Sequence, residues 1–230
     1  MLTKQSTELG SMTAFVKIHR IPYLVHFTRI ENLPSIMEHG IVSRSELPPG
    51  FVTNDDDRAD EFLEASCLSV GFPNWKLFFK QRCREKNVNW AVLTISTDAL
   101  TALPCLFHSS NAANKQFRDK SDQALESRMG VKGLQTMFYD EPAGLRAERA
   151  LAPYWTTDPQ AEVLVFKTIP MKLITSVTFL RPNAGMAATV SKLAPSLVMS
   201  FNGQLFRPRS DYQYWQSNRS NGSEDFSAIY

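Results

Sequence analysis

Two polar side chains open an otherwise apolar run in the last third of the chain, Gln160-Ala161-Glu162-Val163-Leu164-Val165-Phe166. Such a run predicts a strand, and strand alternation puts residues two apart on one face, so Gln160 and Glu162 are expected to emerge together from the loop Thr157-Asp158-Pro159. A carboxylate in an apolar strand must lie at an edge, be paired or do work, because burying an unpaired charge is costly. One kind of work fits the pair. A carboxylate bonded to a sugar hydroxyl stabilises the positive charge that grows on the ring as a bond at the anomeric carbon breaks, and an amide beside it can position an acceptor. An edge-strand surface pair would give the same pattern.

A second candidate is basic. Lys76, Lys80, Arg82, Arg84 and Lys86 face only Glu85, with Trp75, Phe78 and Phe79 interleaved, and Trp75 to Arg84 reads as a helix. Its cations could hold phosphates while the aromatics stack on bases, or they could form the solvated face of an amphipathic helix. Arg82 lies two helical turns from Trp75 on the same broad face, and its fork suits phosphate. Metal chemistry is not expected. The four histidines, His19, His26, His39 and His108, form no H-x-x-x-H or H-E-x-x-H pattern, and the three cysteines contain no C-x-x-C pair. The run Asp55-Asp56-Asp57 lacks the alternating ligands and glycine of a calcium loop and reads as a solvated turn.

These residues need elements to place them. Tyr23 to Phe27 reads as a buried strand carrying His26, followed by a helix with Asn32 as N-cap, Pro34 in its first turn, an apolar face of Leu33, Ile36 and Met37, and Gly40 as a left-handed stop. Ser45 to Asp60 has loop composition. Cys67 to Phe72 predicts a second strand carrying Ser69 and ended by Pro73; Trp90 to Thr97 predicts a third, with Asp98 capping the next element. From Pro104 to Pro159 periodicity is weak, apart from a helical fragment at Asp122 to Met129, as expected of a binding or lid segment. A strand at Ile174 to Leu180 follows Pro170, and the Ser- and Asn-rich tail from Gln216 to Tyr230 is expected to be mobile unless a partner pins it.

The 230 residues suit one core, so the expected organisation is an N-terminal extension at 1–21, a domain at 22–215 and a tail at 216–230. With 43% hydrophobic and 21% charged residues the chain is neither fibrous nor globally disordered, and a net charge of +2 does not by itself imply nucleic acid. No apolar stretch is long enough to cross a bilayer, and the opening residues do not read as a signal peptide, so no membrane association and a cytoplasmic location are expected.

Three motifs together resemble the DarT family of nucleic-acid ADP-ribosyltransferase toxins: the His26 strand with its helix, Ser69 followed by Phe72-Pro73-Asn74-Trp75-Lys76, and Thr157-Asp158-Pro159-Gln160-Ala161-Glu162-Val163-Leu164-Val165. The resemblance spans roughly Pro22 to Leu180. It implies an α+β, ADP-ribosyltransferase-like fold, a split mixed β-sheet flanked by helices, with NAD in the cleft between the sheet halves. By motif position Glu162 matches the catalytic glutamate and Gln160 would position the acceptor. His26 and Thr28 would sit at the nicotinamide end of NAD, chiefly through backbone groups, and Ser69 would approach the nicotinamide ribose with Phe72 nearby. Many members carry a catalytic arginine in a Gly-x-Arg-x-Pro-Met context, where this chain reads Gly71-Phe72-Pro73-Asn74-Trp75-Lys76, a departure that marks a divergent branch. Asn74, Lys76 or Arg82 would then meet the need, with Arg82 the first choice.

The stretch before Glu162 corresponds to the family's substrate-recognition loop and holds His108, Lys115, Arg118, Lys120, Tyr139, Arg146, Arg149 and Tyr154. Basic and aromatic types together favour a single strand, since unpaired bases stack on aromatics while duplex bases must first be flipped out. The resemblance thus implies a pentosyl-type glycosyltransferase that consumes NAD as a substrate, releases nicotinamide and modifies a base of single-stranded DNA. RNA, as in a phage-defence toxin system, is the close variant. Protein modification and a non-catalytic nucleic-acid-binding module on the same fold are the alternatives. The family also implies an antitoxin partner, often a macrodomain hydrolase that removes the ADP-ribose.

Overall fold

The computed structural model describes residues 11–47, 62–117 and 119–215; the aspartate run at 55–57, Arg118 and the tail from Gln216 lie outside the described residues. In chain order the elements are α1 (11–18), β1 (Leu24–Arg29), α2 (Leu33–His39), β2 (Ser66–Val70), α3 (Trp75–Arg84), β3 (Trp90–Ile95), α4 (Ala99–Ala102), β4 (Cys105–His108), α5 (Asp122–Ser127), α6 (Gly130–Thr136), α7 (Leu145–Glu148), β5 (Glu162–Val165), β6 (Ile174–Phe179), α8 (Ala184–Leu193) and β7 (Val198–Phe201).

The strands form one seven-stranded sheet in the order β4-β5-β2-β1-β3-β6-β7. All neighbours are antiparallel except β6 and β7, so the sheet is mixed and the class α+β, as expected. All six residues of β3 are buried, which is why WAVLTI carries no polar face. The sheet is nearly divided in two. β1 pairs with β3 along six residues, but with β2 only at Leu24↔Val70 and Val25↔Ser69. Beyond Val25 and Ser69 both strands continue without laddering, and the ring of His26 bridges them through Nδ1, 3.0 Å from the Cys67 carbonyl.

The main core lies on one sheet face beneath α1, α2, α6 and α8, and includes Met12, Leu24, Leu33, Ile36, Met37, Leu68, Val163, Leu134 and Val190. On the other face Val25 and Val92 pack with Phe78 of α3 and Phe206, while Leu164 packs with Phe62, Leu106 and Ala112. Strand alternation therefore sorts the candidates. Ser69 and Glu162 share the face of Val25 and Leu164, whereas His26 and Thr28 share that of Leu24.

Several expectations change on contact with the structure. Residues 11–21, set outside the domain by the sequence, put Met12 and Ile21 in the main core with Phe15 and Val16 packed against it. Asn32 makes no side-chain cap; a short 3-10 turn precedes α2 and the Asn32 amide donates to Thr28 Oγ1 at 3.2 Å. Asp98 occupies the N-cap position of α4 without a side-chain cap bond. Gly40 does have positive φ, and a Cβ there would lie 2.3 Å from the Ile169 carbonyl oxygen. The stretch 104–159 is less irregular than its periodicity suggests, since it contributes an edge strand, β4, and the short helices α5, α6 and α7.

Candidate active site

Glu162 is the first residue of β5, lies opposite His108 of β4 and is only 6% exposed. Its Oε2 accepts from the Ala112 backbone N–H at 2.8 Å and its Oε1 from Asn74 Nδ2 at 3.4 Å. Both donors are neutral amides, and these two bonds orient the carboxylate. The last β2–β5 pair is Leu68↔Val163, which puts Ser69 at the next register position, opposite Glu162. Ser69 also ends the β1–β2 ladder. Val25, Ser69 and Glu162 therefore stand at one level of the sheet, at the mouth of its split.

Asn74 ties this level together. Pro73 ends the extended chain, and Asn74 then caps α3, its Oδ1 accepting from Leu77 N at 3.2 Å. Its backbone N–H donates to Ser69 Oγ at 3.1 Å while its amide reaches Glu162. One residue thus serves as helix cap, anchor for the serine and donor to the acid. The N-terminus of α3 thus lies beside the same carboxylate. The approach to Asn74 is tight: Gly71 has φ +67°, and a Cβ there would lie 2.8 Å from Tyr154 Cδ2. Phe72 stacks edge-on with Trp155, ring centroids 6.0 Å apart.

The Ala112 donor sits on a loop held from below by Arg128. This guanidinium donates to His108 Nε2 at 3.0 Å, to the carbonyls of Ala124 at 2.9 Å and Phe117 at 3.1 Å, and to that of Asp119. Burial pushes the Arg128 pKa down, an effect Asp119 opposes. Nothing local in the sequence marks Arg128, because its work depends on distant carbonyls. Asp158 is the other residue that sequence reasoning passed over. Its Oδ2 accepts from Ser110 Oγ at 2.5 Å and its Oδ1 from the Gln160 backbone N–H at 2.7 Å.

The remaining sequence candidates fall into two groups. Gln160 is close in sequence to Glu162 but stands in a turn shaped by Asp158, ahead of the strand in which it was expected. Arg82 does share the face of Trp75, but that face is turned into the core. Arg82 Nη1 donates to the Phe206 carbonyl at 2.5 Å and its guanidinium lies over the rings of Phe78 and Phe206. It is two turns from the capped end of α3, on the order of 12 Å along the axis. The expectation of Arg82 at the reacting centre is therefore corrected: its guanidinium is buried against two rings and donates to a carbonyl. Lys76 is half-buried, its Nζ 5.9 Å from the Trp75 ring centroid.

Of the recognition residues, His108 is fully buried under Glu162 and belongs to the support of the acid. Tyr139 is 56% exposed, and its carbonyl accepts from Thr157 Oγ1 at 2.7 Å. Arg146 donates to Thr157 Oγ1 at 2.9 Å, and Arg149 lies over the Tyr214 ring. Lys120 lies over the Phe62 ring and Lys115 opens a short 3-10 turn. Among the described residues no group of three or more His, Cys, Asp or Glu side chains could hold a metal, and no helix is long and apolar enough to cross a membrane.

A family model described as DarT, ssDNA thymidine ADP-ribosyltransferase, matches residues 25–208, well over half of the chain. Two solved structures share the fold. Thermus sp. 2.9 DarT in complex with carba-NAD+ is 15% identical, with 80% of this chain and 97% of that chain covered at a TM-score of 0.52. Thermus sp. 2.9 DarT in complex with ADP-ribosylated ssDNA is 17% identical, with 80% and 95% covered, also at 0.52. No curated protein matches the chain in sequence.

Proposed function

The chain belongs to the DarT family, and on that premise we propose that it transfers ADP-ribose from NAD to a base of single-stranded DNA, thymidine being the base the family description names. The observation that carries this reading is the buried Glu162 carboxylate, which accepts from Asn74 and from the Ala112 N–H at the mouth of the sheet's split. In the reaction the bond between nicotinamide and the anomeric carbon breaks, its electron pair leaves with nicotinamide, and a base heteroatom bonds to that carbon and loses its proton.

Glu162 accepts from the ribose 2′-hydroxyl and stabilises the positive charge on the ring. Ser69, whose Oγ accepts from Asn74 N, offers its own hydroxyl proton to the nicotinamide ribose. Backbone groups of His26 and Thr28, with Phe72, line the nicotinamide end, and Asn74 and Lys76 meet the dinucleotide from the start of α3. Gln160, on the turn before β5, positions the incoming base. NAD is consumed as a substrate. We assign the protein a toxin role countered by an antitoxin, of the macrodomain hydrolase type.

The purified chain and Glu162→Ala are incubated with labelled NAD and pools of single-stranded DNA, single-stranded RNA and protein. Label entering DNA only with intact Glu162 is expected. Label in RNA alone would move the acceptor, and equal labelling by Glu162→Ala would remove the role given to the acid.

A further inference from the structure

The deepest charged groups among the described residues lie outside the site around Glu162. Arg209 is 2% exposed and Asp211 fully buried, just past the end of the family match at residue 208. They form a bidentate pair, Arg209 Nε to Asp211 Oδ1 and Nη2 to Oδ2, each at 2.7 Å. The guanidinium has hydrogen-bonding capacity beyond its carboxylate, and it uses it on the segment before Glu162. Nη1 donates to the Thr156 carbonyl at 2.9 Å, Nη2 to that of Thr157 at 3.5 Å, and the plane lies over the Trp155 ring at 5.2 Å.

That segment has no ladder of its own, since β5 begins only at Glu162. Its shape comes from outside: Thr157 N donates to the Met137 carbonyl at 2.8 Å, Asp158 ties it to Ser110, and Arg209 holds two consecutive carbonyls. None of the bonds described for Glu162 involves Arg209: the acid is held by the β4 and β2 neighbours of β5, by Asn74 and by the Ala112 N–H. A buried ion pair is weak evidence for stability, because desolvation offsets the attraction, but it can specify one conformation among several. Here the conformation specified is that of residues 155–160, which end in Gln160.

We propose that Arg209, aligned by Asp211, is a positioning residue for the nucleic-acid acceptor: it sets the shape of residues 155–160 that receives the strand, and NAD cleavage at Glu162 does not require it. The inference rests on the transferase reading given under Proposed function. It divides the site into a cleaving part at Glu162 and a receiving part whose shape Arg209 sets.

The test uses the full chain and two readouts. One is nicotinamide release without acceptor, in which water adds to the anomeric carbon and gives up a proton. The other is the adduct formed on a single-stranded thymidine-containing oligonucleotide, with kcat and KM for each. Arg209→Met is expected to lower transfer by about tenfold or more, mainly through a raised KM for the oligonucleotide, while nicotinamide release stays within about twofold of wild type. Arg209→Lys keeps the charge beside Asp211 but loses the fork, so the same split is expected from a milder change. Parallel loss of both activities would overturn the proposal, as would failure of both variants to fold, since either outcome makes the pair a support of the whole fold. A wild-type chain that cleaves no NAD would instead sink the underlying transferase reading, and the inference with it.

Discussion

Asn74 and Glu162 lie 88 positions apart in sequence and meet through a hydrogen bond of 3.4 Å, amide to carboxylate. The same asparagine caps α3 and anchors Ser69, so the orientation of the acid and the start of the helix depend on one side chain.

Replacements at Asn74 therefore separate its two roles. Asn74→Ala removes both cap and donor and should cost about 0.5 to 2 kcal/mol of stability along with activity. Asn74→Asp keeps a capping oxygen but sets a second carboxylate beside Glu162. It should melt closer to wild type than the alanine variant yet lose NAD cleavage at least as far. Thermal melts and nicotinamide release on both variants check the ranking.

Gly71 tests how the segment before Asn74 is shaped. With φ +67° and Tyr154 Cδ2 only 2.8 Å from the place a methyl group would take, Gly71→Ala meets backbone strain and a ring at once. A loss of about 1 to 3 kcal/mol is expected, read by urea denaturation. An unchanged midpoint would mean that neither the positive φ nor the Tyr154 ring opposes a side chain here.

Arg82 is expected to matter for stability. Arg82→Ala leaves the buried Phe206 carbonyl without this donor and removes a guanidinium lying over two rings, which should cost about 1 to 3 kcal/mol in denaturation. An arginine working on NAD would give the opposite signature, an unaltered midpoint with cleavage abolished.

Burial pushes the Cys105 thiol up from 9.0 to about 12. The folded state thus holds this proton more tightly than the unfolded chain. Its contribution to stability is intact below about pH 9 and is lost as pH rises towards about 12. Denaturation midpoints at about pH 8 and about pH 11 should fall further for wild type than for Cys105→Ala, and equal falls would remove thiol burial as the cause.

Much of this arrangement was legible in the residues themselves. α3 runs from Trp75 to Arg84 as its pattern predicts, and Glu162 stood out because a carboxylate at the head of an apolar run demands a reason. The resemblance to the DarT family agrees with the family match over residues 25–208. What stayed hidden depends on contacts between distant positions. Arg209 reaches Thr156 across 53 positions, and Arg128 acts through carbonyls that leave no side-chain pattern. β4 is four residues long and follows a proline, too short for alternation to register. Arg82 was misplaced because a solvated basic helix face and an arginine buried against aromatics have the same spacing.

Glu162 is proposed to drive transfer from NAD to a base of single-stranded DNA. Its most direct test is the intact mass of a thymidine-containing oligonucleotide after incubation with NAD and either wild type or Glu162→Gln, a variant that keeps the size of the side chain and removes its charge. An added ADP-ribose mass is expected with wild type, lost on removal of thymidine, and none with the variant. An equal adduct from Glu162→Gln, or an unmodified oligonucleotide with folded wild type, would contradict it.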